Sequence, residues 1–328
     1  MRRRIRAALL AVTTLGMVVA SAGVAQAGES SQPSQQTQPS QQTQASQRDA
    51  RAAAAASNGL GAAAKGGIGT AATWFTGTVP VGGTQGWTWT NAPADAAYVV
   101  GYNPAGATTS ATCQFETISS KYVQLSSGER QFHFTLKNVG SIACGATVQL
   151  AAVTSTSLVS TGGVSPGGTQ TYLWNVPWNT IWVAGLNPNG ATSSTACQFQ
   201  VTRIWTVQPG SSLRQIWVEV KNVGAVTCQA DVRLGSTTIG SQFAMASVSP
   251  GGTWSTTWNN ANPVTSAYVI GPSPQGSFPT YCQFEVTRVV YAQRINADGS
   301  SQRQITMSFK NLSTLSCGGI AYLQAIAA

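Results

Sequence analysis

Charged residues and histidine are scarce in this chain, which narrows the chemistry that it can perform. Of its 328 residues only 8% are charged, nine are acidic and one is histidine. Acid–base catalysis needs two titratable groups at a fixed spacing. In the repeats described below, the position of Glu116 is filled by Gln200 in the second copy, and that of His133 by Trp217. We therefore predict that the protein is not an enzyme and uses no cofactor.

Closely spaced cysteines are missing as well. The six cysteines form three successive pairs whose members are 31, 31 and 35 residues apart, with no C-x-x-C motif and no accompanying histidine. Protein zinc sites draw on clusters of cysteine and histidine at short spacing. The sequence therefore predicts no metal site.

Long apolar runs are absent after the N-terminus, so we predict no membrane span. The chain begins MRRRIRAALLAVTTLGMVVASAGVAQA, with four arginines, a short apolar stretch and the small-x-small sequence AQA. This pattern is typical of a secretion signal. A membrane anchor is the alternative, but two threonines, a serine and two glycines interrupt the apolar run. We predict that residues 1–27 are a removed signal peptide and that the mature protein is secreted and extracellular.

The excess of positive charge is small once this segment is set aside. The formal net charge is +9, from 18 basic and nine acidic residues. Four of the basic residues and none of the acidic ones lie in residues 1–27. Fourteen basic residues then remain against nine acidic ones, a net charge of +5. They are scattered, whereas nucleic-acid binding needs them on one face, so we predict no nucleic-acid partner.

Residues 28–67 lack large hydrophobic residues apart from Leu60. The segment is a Gln/Ser/Thr/Pro tract followed by an Ala/Gly tract. Such a composition buries too little apolar surface to offset the chain entropy lost on folding. We predict a disordered linker; a docking segment that orders on a partner is the alternative.

The rest of the chain repeats itself three times. A Gly-Gly-Thr turn and a tryptophan strand recur as VGGTQGWTWTN, PGGTQTYLWN and PGGTWSTTWN. They are followed by YVVGYNPAG, WVAGLNPNG and YVIGPSPQG, and then by segments that open on CQF and close on KNVGSIAC, KNVGAVTC or KNLSTLSC. We predict three tandem repeats, 68–152, 153–236 and 237–328, named here the first, middle and last repeats.

Each repeat carries the period-two pattern of half-buried antiparallel strands. In RQFHFTLKN, Phe132, Phe134 and Leu136 alternate with polar residues, and LRQIWVEVKN and RQITMSFKN repeat the pattern. Pro-Gly-Gly and Asn-x-Gly turns separate such segments, and no segment after residue 68 carries a helical pattern of comparable strength. The pattern predicts an all-β fold.

The cysteines are interpreted as disulfides, because an even number in a secreted chain favours them. If the CQF strand and the strand that ends in KN are antiparallel neighbours, the start of the first lies beside the end of the second. We therefore predict one disulfide in each repeat, worth about 3 to 4 kcal/mol in the chain-entropy description. The predicted pairs are Cys113–Cys144, Cys197–Cys228 and Cys282–Cys317.

The order of these motifs resembles a known family. The stretch from VEVKNVGAVTCQADVRL through VSPGGTWSTTWN to AYVIG resembles the CARDB-type bacterial immunoglobulin-like repeats. The resemblance implies immunoglobulin-like β-sandwiches, a role in adhesion or spacing at cell surfaces, and no catalytic residues. Two features depart from the family pattern, the disulfide of each repeat and the KNLS sequence of the last one.

The resemblance leaves two arrangements of the repeats open. In the family order a domain starts at CQF, so that residues 68–112 and 282–328 would form two halves of one sandwich. In the alternative, which we favour, the three repeats are contiguous and each begins near its Gly-Gly-Thr turn.

The ten tryptophans are candidates for binding contacts, because indole is costly to leave exposed and is favoured at binding surfaces. Tryptophans that recur in every repeat are interpreted as core residues. Those that do not recur are candidates for a binding surface, with burial between neighbouring domains as the alternative, and the alternation in LRQIWVEVKN predicts that Trp217 points away from the packed face. The candidate binding residues are Trp178, Trp205, Trp217 and Trp254. The recurring Arg130, Arg214 and Arg303 are interpreted as strand-end residues that guard sheet edges.

Together these patterns predict a secreted binding protein of three immunoglobulin-like β-sandwich repeats. Its partner is predicted to be a secreted or cell-surface protein, which would make the chain an adaptor or adhesion subunit. The alternative is a lectin-like, carbohydrate-binding protein that grips a cell-envelope glycan through the non-recurring tryptophans.

Overall fold

The structure, a computed structural model, describes residues 72–209, 213–276 and 281–327. The predicted signal peptide (1–27) and linker (28–67) lie outside these residues. The described residues form β-strands and no helix, which confirms the predicted all-β class.

Each repeat supplies six strand segments in the same order along the chain. Those of the first repeat are β1 (Ala72–Phe75), β2 (Thr84–Thr90), β3 (Ala96–Ala105), β4 (Cys113–Gln124), β5 (Arg130–Asn138) and β6 (Gly145–Ser160). The middle repeat reuses the end of β6 and adds β7 (Thr169–Val176), β8 (Ile181–Asn189), β9 (Cys197–Gln208), β10 (Arg214–Asn222) and β11 (Gln229–Thr237). Those of the last repeat are β12 (Ser241–Val248), β13 (Thr253–Trp258), β14 (Ser266–Gln275), β15 (Cys282–Ile295), β16 (Ser301–Asn311) and β17 (Cys317–Ala327).

The strands of each repeat pair into two antiparallel three-stranded layers. In the first repeat the layers have the orders β2–β5–β4 and β1–β6–β3. The middle repeat has β7–β10–β9 and β6–β11–β8, and the last has β13–β16–β15 and β12–β17–β14. This confirms the predicted sandwich-like arrangement.

Strand β6 serves two repeats without interruption. Its residues up to Thr154 pair with β3, and its residues from Ser155 onward pair with β11. The predicted boundary at 152/153 therefore falls inside a continuous strand, and the repeat boundaries stay a prediction. Strand β17 pairs with β12 and β14, both from its own repeat.

The core lies between the two layers, where the alternation of the sequence places apolar side chains. Phe132, Phe134 and Leu136 of β5 are buried, as are their counterparts in β10 and β16. One disulfide joins the two layers of each repeat, and the three bonds are those predicted. All six cysteines are buried, so the bonds lie within the core.

The asparagine of each KN motif holds the loop that leads to the second cysteine. Asn138 is fully buried; its amide donates to the carbonyls of Val79 and Ile142, and its Oδ1 accepts from the N–H of Gly140. Asn222 and Asn311 make the corresponding bonds in the other repeats. A buried loop must satisfy its backbone polar groups, which explains why this residue recurs.

Candidate functional site at the repeat junctions

The three CQF strands pair with one another in a closed cycle. The end of β4 pairs antiparallel with the start of β9, the end of β9 with the start of β15, and the end of β15 with the start of β4. The residues that face each other are Gln124 and Cys197, Gln208 and Cys282, and Gln293 and Cys113. The repeats thus meet at three equivalent junctions, named here first–middle, middle–last and last–first.

A β-bulge in each CQF strand makes this cycle possible. The register shifts between Thr117 and Ser119 in β4, and at the corresponding places in β9 and β15. A bulge bends its strand and increases the local twist. The start of each CQF strand can therefore pair with the CQF strand of one neighbouring repeat, and its end with that of the other.

A recurring glutamine, which sequence reasoning missed, accepts hydrogen bonds from the backbone of the neighbouring repeat at each junction. The Oε1 of Gln124 accepts from the backbone N–H groups of Gly190 and Ala191, at 3.0 and 3.2 Å. Gln293 accepts from Ala107 at 3.1 Å, and Gln208 accepts from Gly276. The signal was present in the recurring sequences YVQ, TVQ and YAQ, but their partners lie 66 or more residues away.

A recurring glycine lets strands of neighbouring repeats approach closely near the centre. A Cβ at Gly185 would lie 2.7 Å from the Cα of Ala97, and one at Gly101 would lie 2.9 Å from the Cα of Ala267. At Gly271 the nearest atom would be the side-chain Cγ2 of Ile181, at 2.9 Å. The middle–last junction therefore differs from the others: a side chain, not backbone, fills this place.

Two of the three recurring arginines donate to an asparagine of the neighbouring repeat, so the interpretation of these two as edge guards is wrong. The Nε of Arg130 donates to Asn187 Oδ1, and the Nε of Arg303 donates to Asn103 Oδ1 at 2.7 Å. At the middle–last junction the corresponding residues are Arg214 and Ser273. The structure joins these two by no hydrogen bond between described atoms.

Arg214 is consequently a buried cation with an incomplete set of partners. Only 7% of its surface is exposed, and its Nε has no hydrogen-bond acceptor among the described residues. Its Nη1 donates to the carbonyl of Leu213 at 3.3 Å. Burial lowers the pKa of the Arg214 guanidinium below its usual value, although an arginine stays protonated under ordinary conditions.

A second recurring contact also fails at the same place. In the first repeat the hydroxyl of Tyr122 accepts from the N–H of Tyr98 at 3.1 Å, and in the last repeat Tyr291 accepts from Tyr268 at 3.2 Å. Burial raises the pKa of both hydroxyl groups. The middle repeat has the much smaller Thr206 at this position.

A cavity of about 320 Å³ lies where these contacts are missing. Its lining includes Thr206, Arg214 and Ser273, together with Trp182 and Ile216. Trp178, which is 59% exposed, also lines it and marks its opening to solvent. Nothing in the repeat pattern itself predicts this cavity; the signal was the departure of the middle repeat from it.

Ion pairs reinforce two of the three junctions. Arg203 binds Glu285 through two nitrogens, at 3.0 and 3.1 Å, across the middle–last junction. This contact raises the pKa of Arg203. Arg288 pairs with Glu116 across the last–first junction. The Glu116 and Glu285 carboxylates therefore act in electrostatic contacts between repeats.

Trp205 and Trp217 lie side by side on the outer face of the β7–β10–β9 layer. They face each other across β9 and β10, with ring centroids 5.7 Å apart and planes 17° apart. The guanidinium of Arg203 lies 5.1 Å from the centroid of Trp205. Leu173, 47% exposed, is opposite Trp217 on β7. We name Leu173, Trp217 and Trp205 the aromatic row.

The other two candidate tryptophans lie elsewhere. Trp178 lies between β7 and β8, at the cavity. Trp254 lies on the core side of β13 and packs against Phe309, with ring centroids 5.9 Å apart. The structure therefore brings Trp205 and Trp217 together but places Trp178 and Trp254 apart from them.

His133 occupies the same position in the first repeat as Trp217 in the middle one. Its Nε2 is 2.8 Å from Gln131 Oε1, and its Nδ1 is 3.4 Å from Thr88 Oγ1. Burial, with a smaller contribution from Lys121, lowers its pKa to about 4. Within the described ranges, no group of three or more His, Cys, Asp or Glu residues is placed to hold a metal ion.

Comparison with known proteins gives no relative for this chain: no protein-family model, no curated protein and no solved structure matches it. In the part of the chain that the structure describes, no helix has the length and apolar character needed to cross a membrane.

Proposed function

We propose that the chain is a secreted, non-enzymatic binding protein that engages a secreted or cell-surface protein through the aromatic row. This role is that of an adaptor or adhesion subunit. The three disulfides support an oxidising, extracellular setting. The likeness to CARDB-type repeats stays a prediction, and it agrees with such a role.

The observation that carries the proposal is a chemical difference between equivalent positions. The outer row reads Leu173–Trp217–Trp205 in the middle repeat, Thr88–His133–Lys121 in the first and Thr257–Thr306–Val290 in the last. The backbone is the same, so folding does not require tryptophan there. Partly exposed tryptophan with a polar surround is typical of protein-binding surfaces.

The packing of the indoles favours a protein partner over a sugar at this row. Trp217 lies nearly parallel to Trp205, and Arg203 lies over the Trp205 ring. A sugar stacks on an open aromatic face, whereas a protein partner also contacts the edges of aromatic rings. The outer polar surround includes Arg203 and Glu219, and the latter accepts from Thr202.

The test replaces the aromatic row with residues that already fold at the same place. The double variant Trp205→Val with Trp217→Thr copies Val290 and Thr306 of the last repeat. The control is Thr257→Ala with Thr306→Ala, a matched change to the row of the last repeat. Immobilised proteins are exposed to the producing organism's culture medium and surface extract, and captured proteins are identified by mass spectrometry.

We expect a partner that the wild type and the control retain and the double variant loses. A partner retained equally by all three proteins contradicts the role of the row. Deletion of residues 28–67 tests the linker in the same experiment. If the linker docks a partner, the wild type captures a second partner that the deletion variant does not.

A glycan ligand is the second candidate, and the exposure of Trp178 favours it. This indole is 59% exposed beside a cavity that also carries Thr180, Thr202 and Arg203. A glycan array with the wild type and Trp178→Ala tests it, with Trp254→Ala as control for loss of a tryptophan on the core side. Absence of any glycan retained by the wild type rules this candidate out.

A further inference from the structure

The cavity at the middle–last junction is the place where the repeats depart most from one another in buried chemistry. At the other two junctions an arginine donates to an asparagine of the next repeat. Ser273, which is 3% exposed, stands in place of that asparagine and is too short to replace its contact. Arg214 thus keeps the position of its counterparts without their acceptor.

The second departure makes the space. Tyr122 and Tyr291 fill the corresponding volume in the first and last repeats, and both are buried. Thr206 leaves that volume empty, and it lines the cavity together with Ile216 and Ile181. A volume of about 320 Å³ is within the range of small-ligand pockets.

Several lining side chains are hydroxyl groups that can donate or accept, but two buried nitrogens of the lining can only donate. Arg214 Nε and the indole Nε1 of Trp182 are buried and have no acceptor among the described residues. The carboxylate of Glu285 is the one acidic group among the described lining residues, and both of its oxygens are bound by Arg203. Among the described lining residues, the charge left without a counter-charge is therefore positive.

An unpaired buried cation is costly, because its hydration is lost and no counter-charge replaces it. A carboxylate offers two acceptor oxygens in the plane that suits a guanidinium group. Apolar side chains, such as Ile181 and Ile216, surround these donors. The site thus offers hydrogen-bond donors to one anionic group of a ligand and an apolar lining to the rest of it.

We propose that this cavity binds a monocarboxylate with an apolar body, whose carboxylate accepts from Arg214 and Trp182. Such a ligand restores the contact that Asn103 and Asn187 supply at the other junctions. Arg203 lies beside both this cavity and Trp205, but none of the three residues of the aromatic row lines the cavity. The proposal goes beyond the proposed function, so it stands whether or not a protein partner binds at the row.

The experiment measures binding of phenylacetate to the purified secreted protein by calorimetry. Phenylacetamide is the neutral analogue, and glucuronate is the arm that distinguishes an acidic sugar from a free organic acid. We expect phenylacetate to bind at least about tenfold more tightly than phenylacetamide, since a charge-assisted bond is worth about a factor of ten or more. Tighter binding of glucuronate than of phenylacetate contradicts the apolar body and assigns the cavity to an acidic sugar.

Three variants locate the site, and one serves as control. Arg214→Gln is expected to weaken phenylacetate binding roughly 10- to 100-fold. Ser273→Asn restores the acceptor of the other junctions and is expected to weaken it by about tenfold. Thr206→Tyr fills the cavity and is expected to abolish binding. Arg303→Gln, at the last–first junction, leaves the affinity unchanged.

Three further results overturn the proposal. The first is equal affinity for phenylacetate and phenylacetamide, and the second is no binding of either carboxylate. The third is an unchanged affinity for phenylacetate in Ser273→Asn. That variant copies a residue which the same fold already accommodates twice, so its melting temperature confirms folding and its affinity decides the matter.

Discussion

The last–first and middle–last junctions have the same backbone pairing but different buried chemistry. At the last–first junction, Arg303 donates a hydrogen bond to Asn103, and the hydroxyl of Tyr291 accepts one from the backbone N–H of Tyr268. At the middle–last junction, Ser273 replaces the asparagine, and Thr206 replaces the tyrosine. A cavity lined by both residues and by Arg214 lies there. The difference teaches that a junction can close without the arginine–asparagine and tyrosine contacts, since strand pairing, Gln208 and the Arg203–Glu285 ion pair remain there. The buried side chains at one junction can therefore differ from those at the others without loss of the strand pairing. The space that such a difference leaves can accommodate a ligand.

The largest effect expected from this comparison is at the recurring glycine. Gly185→Ala forces a Cβ to within 2.7 Å of backbone at Ala97. Gly271→Ala instead meets the side-chain Cγ2 of Ile181, which borders the cavity and therefore has space into which it can shift. Overpacking against backbone costs about 3 kcal/mol or more. Urea unfolding of the two variants should show a large loss of stability for Gly185→Ala and a loss of about 1 kcal/mol or less for Gly271→Ala. Equal losses contradict the distinction.

A reciprocal exchange at the arginine contact should give an intermediate effect. Asn103→Ser leaves Arg303 without its acceptor and is expected to lower the free energy of unfolding by about 2 kcal/mol. Ser273→Asn gives Arg214 an acceptor and is expected to raise it by about 1 kcal/mol in the absence of ligand. The sign of the second change is the sharper test, measured by urea unfolding. If Ser273→Asn destabilises the protein, Arg214 is not short of a partner.

The smallest expected effect concerns His133, the first-repeat counterpart of Trp217. Its folded pKa of about 4 lies below the ordinary value of 6.5, so the unfolded chain takes up the proton first as the pH falls. Its contribution is full above about pH 6.5 and is lost as the pH falls towards 4. Unfolding at about pH 7.5 and about pH 5 should show a smaller loss of stability in His133→Thr than in the wild type. An identical pH dependence in the two proteins excludes a neutral, partly buried histidine.

The sequence predicted the parts of the fold that depend on local patterns. The alternation around Phe132 and Val218 predicted strands and their buried faces. The expected pairing of the CQF strand with the strand that ends in KN predicted the three disulfides. The cyclic pairing of β4, β9 and β15 was not predicted, because a hydrophobic pattern shows which face is buried but not which distant strand covers it. Gln124 and its counterparts carried a signal of the pairing without naming their partners.

The candidate site was harder to predict for a related reason. Search for repeats draws attention to what recurs, and Arg214 was therefore interpreted together with Arg130 and Arg303. Its distinct environment depends on Thr206 and Ser273, which are conspicuous only once the structure brings them beside it. The aromatic row was more accessible, since outward-facing Trp217 was predicted from the alternation of β10.

The cyclic pairing has a consequence for any shortened form of the chain. Loss of the last repeat would expose backbone donors and acceptors at the start of β4 and at the end of β9, because β15 covers both. Uncovered strand edges of this kind recruit strands from other molecules. We therefore expect a truncated chain of two repeats to self-associate through these edges, which the last repeat covers in the full chain.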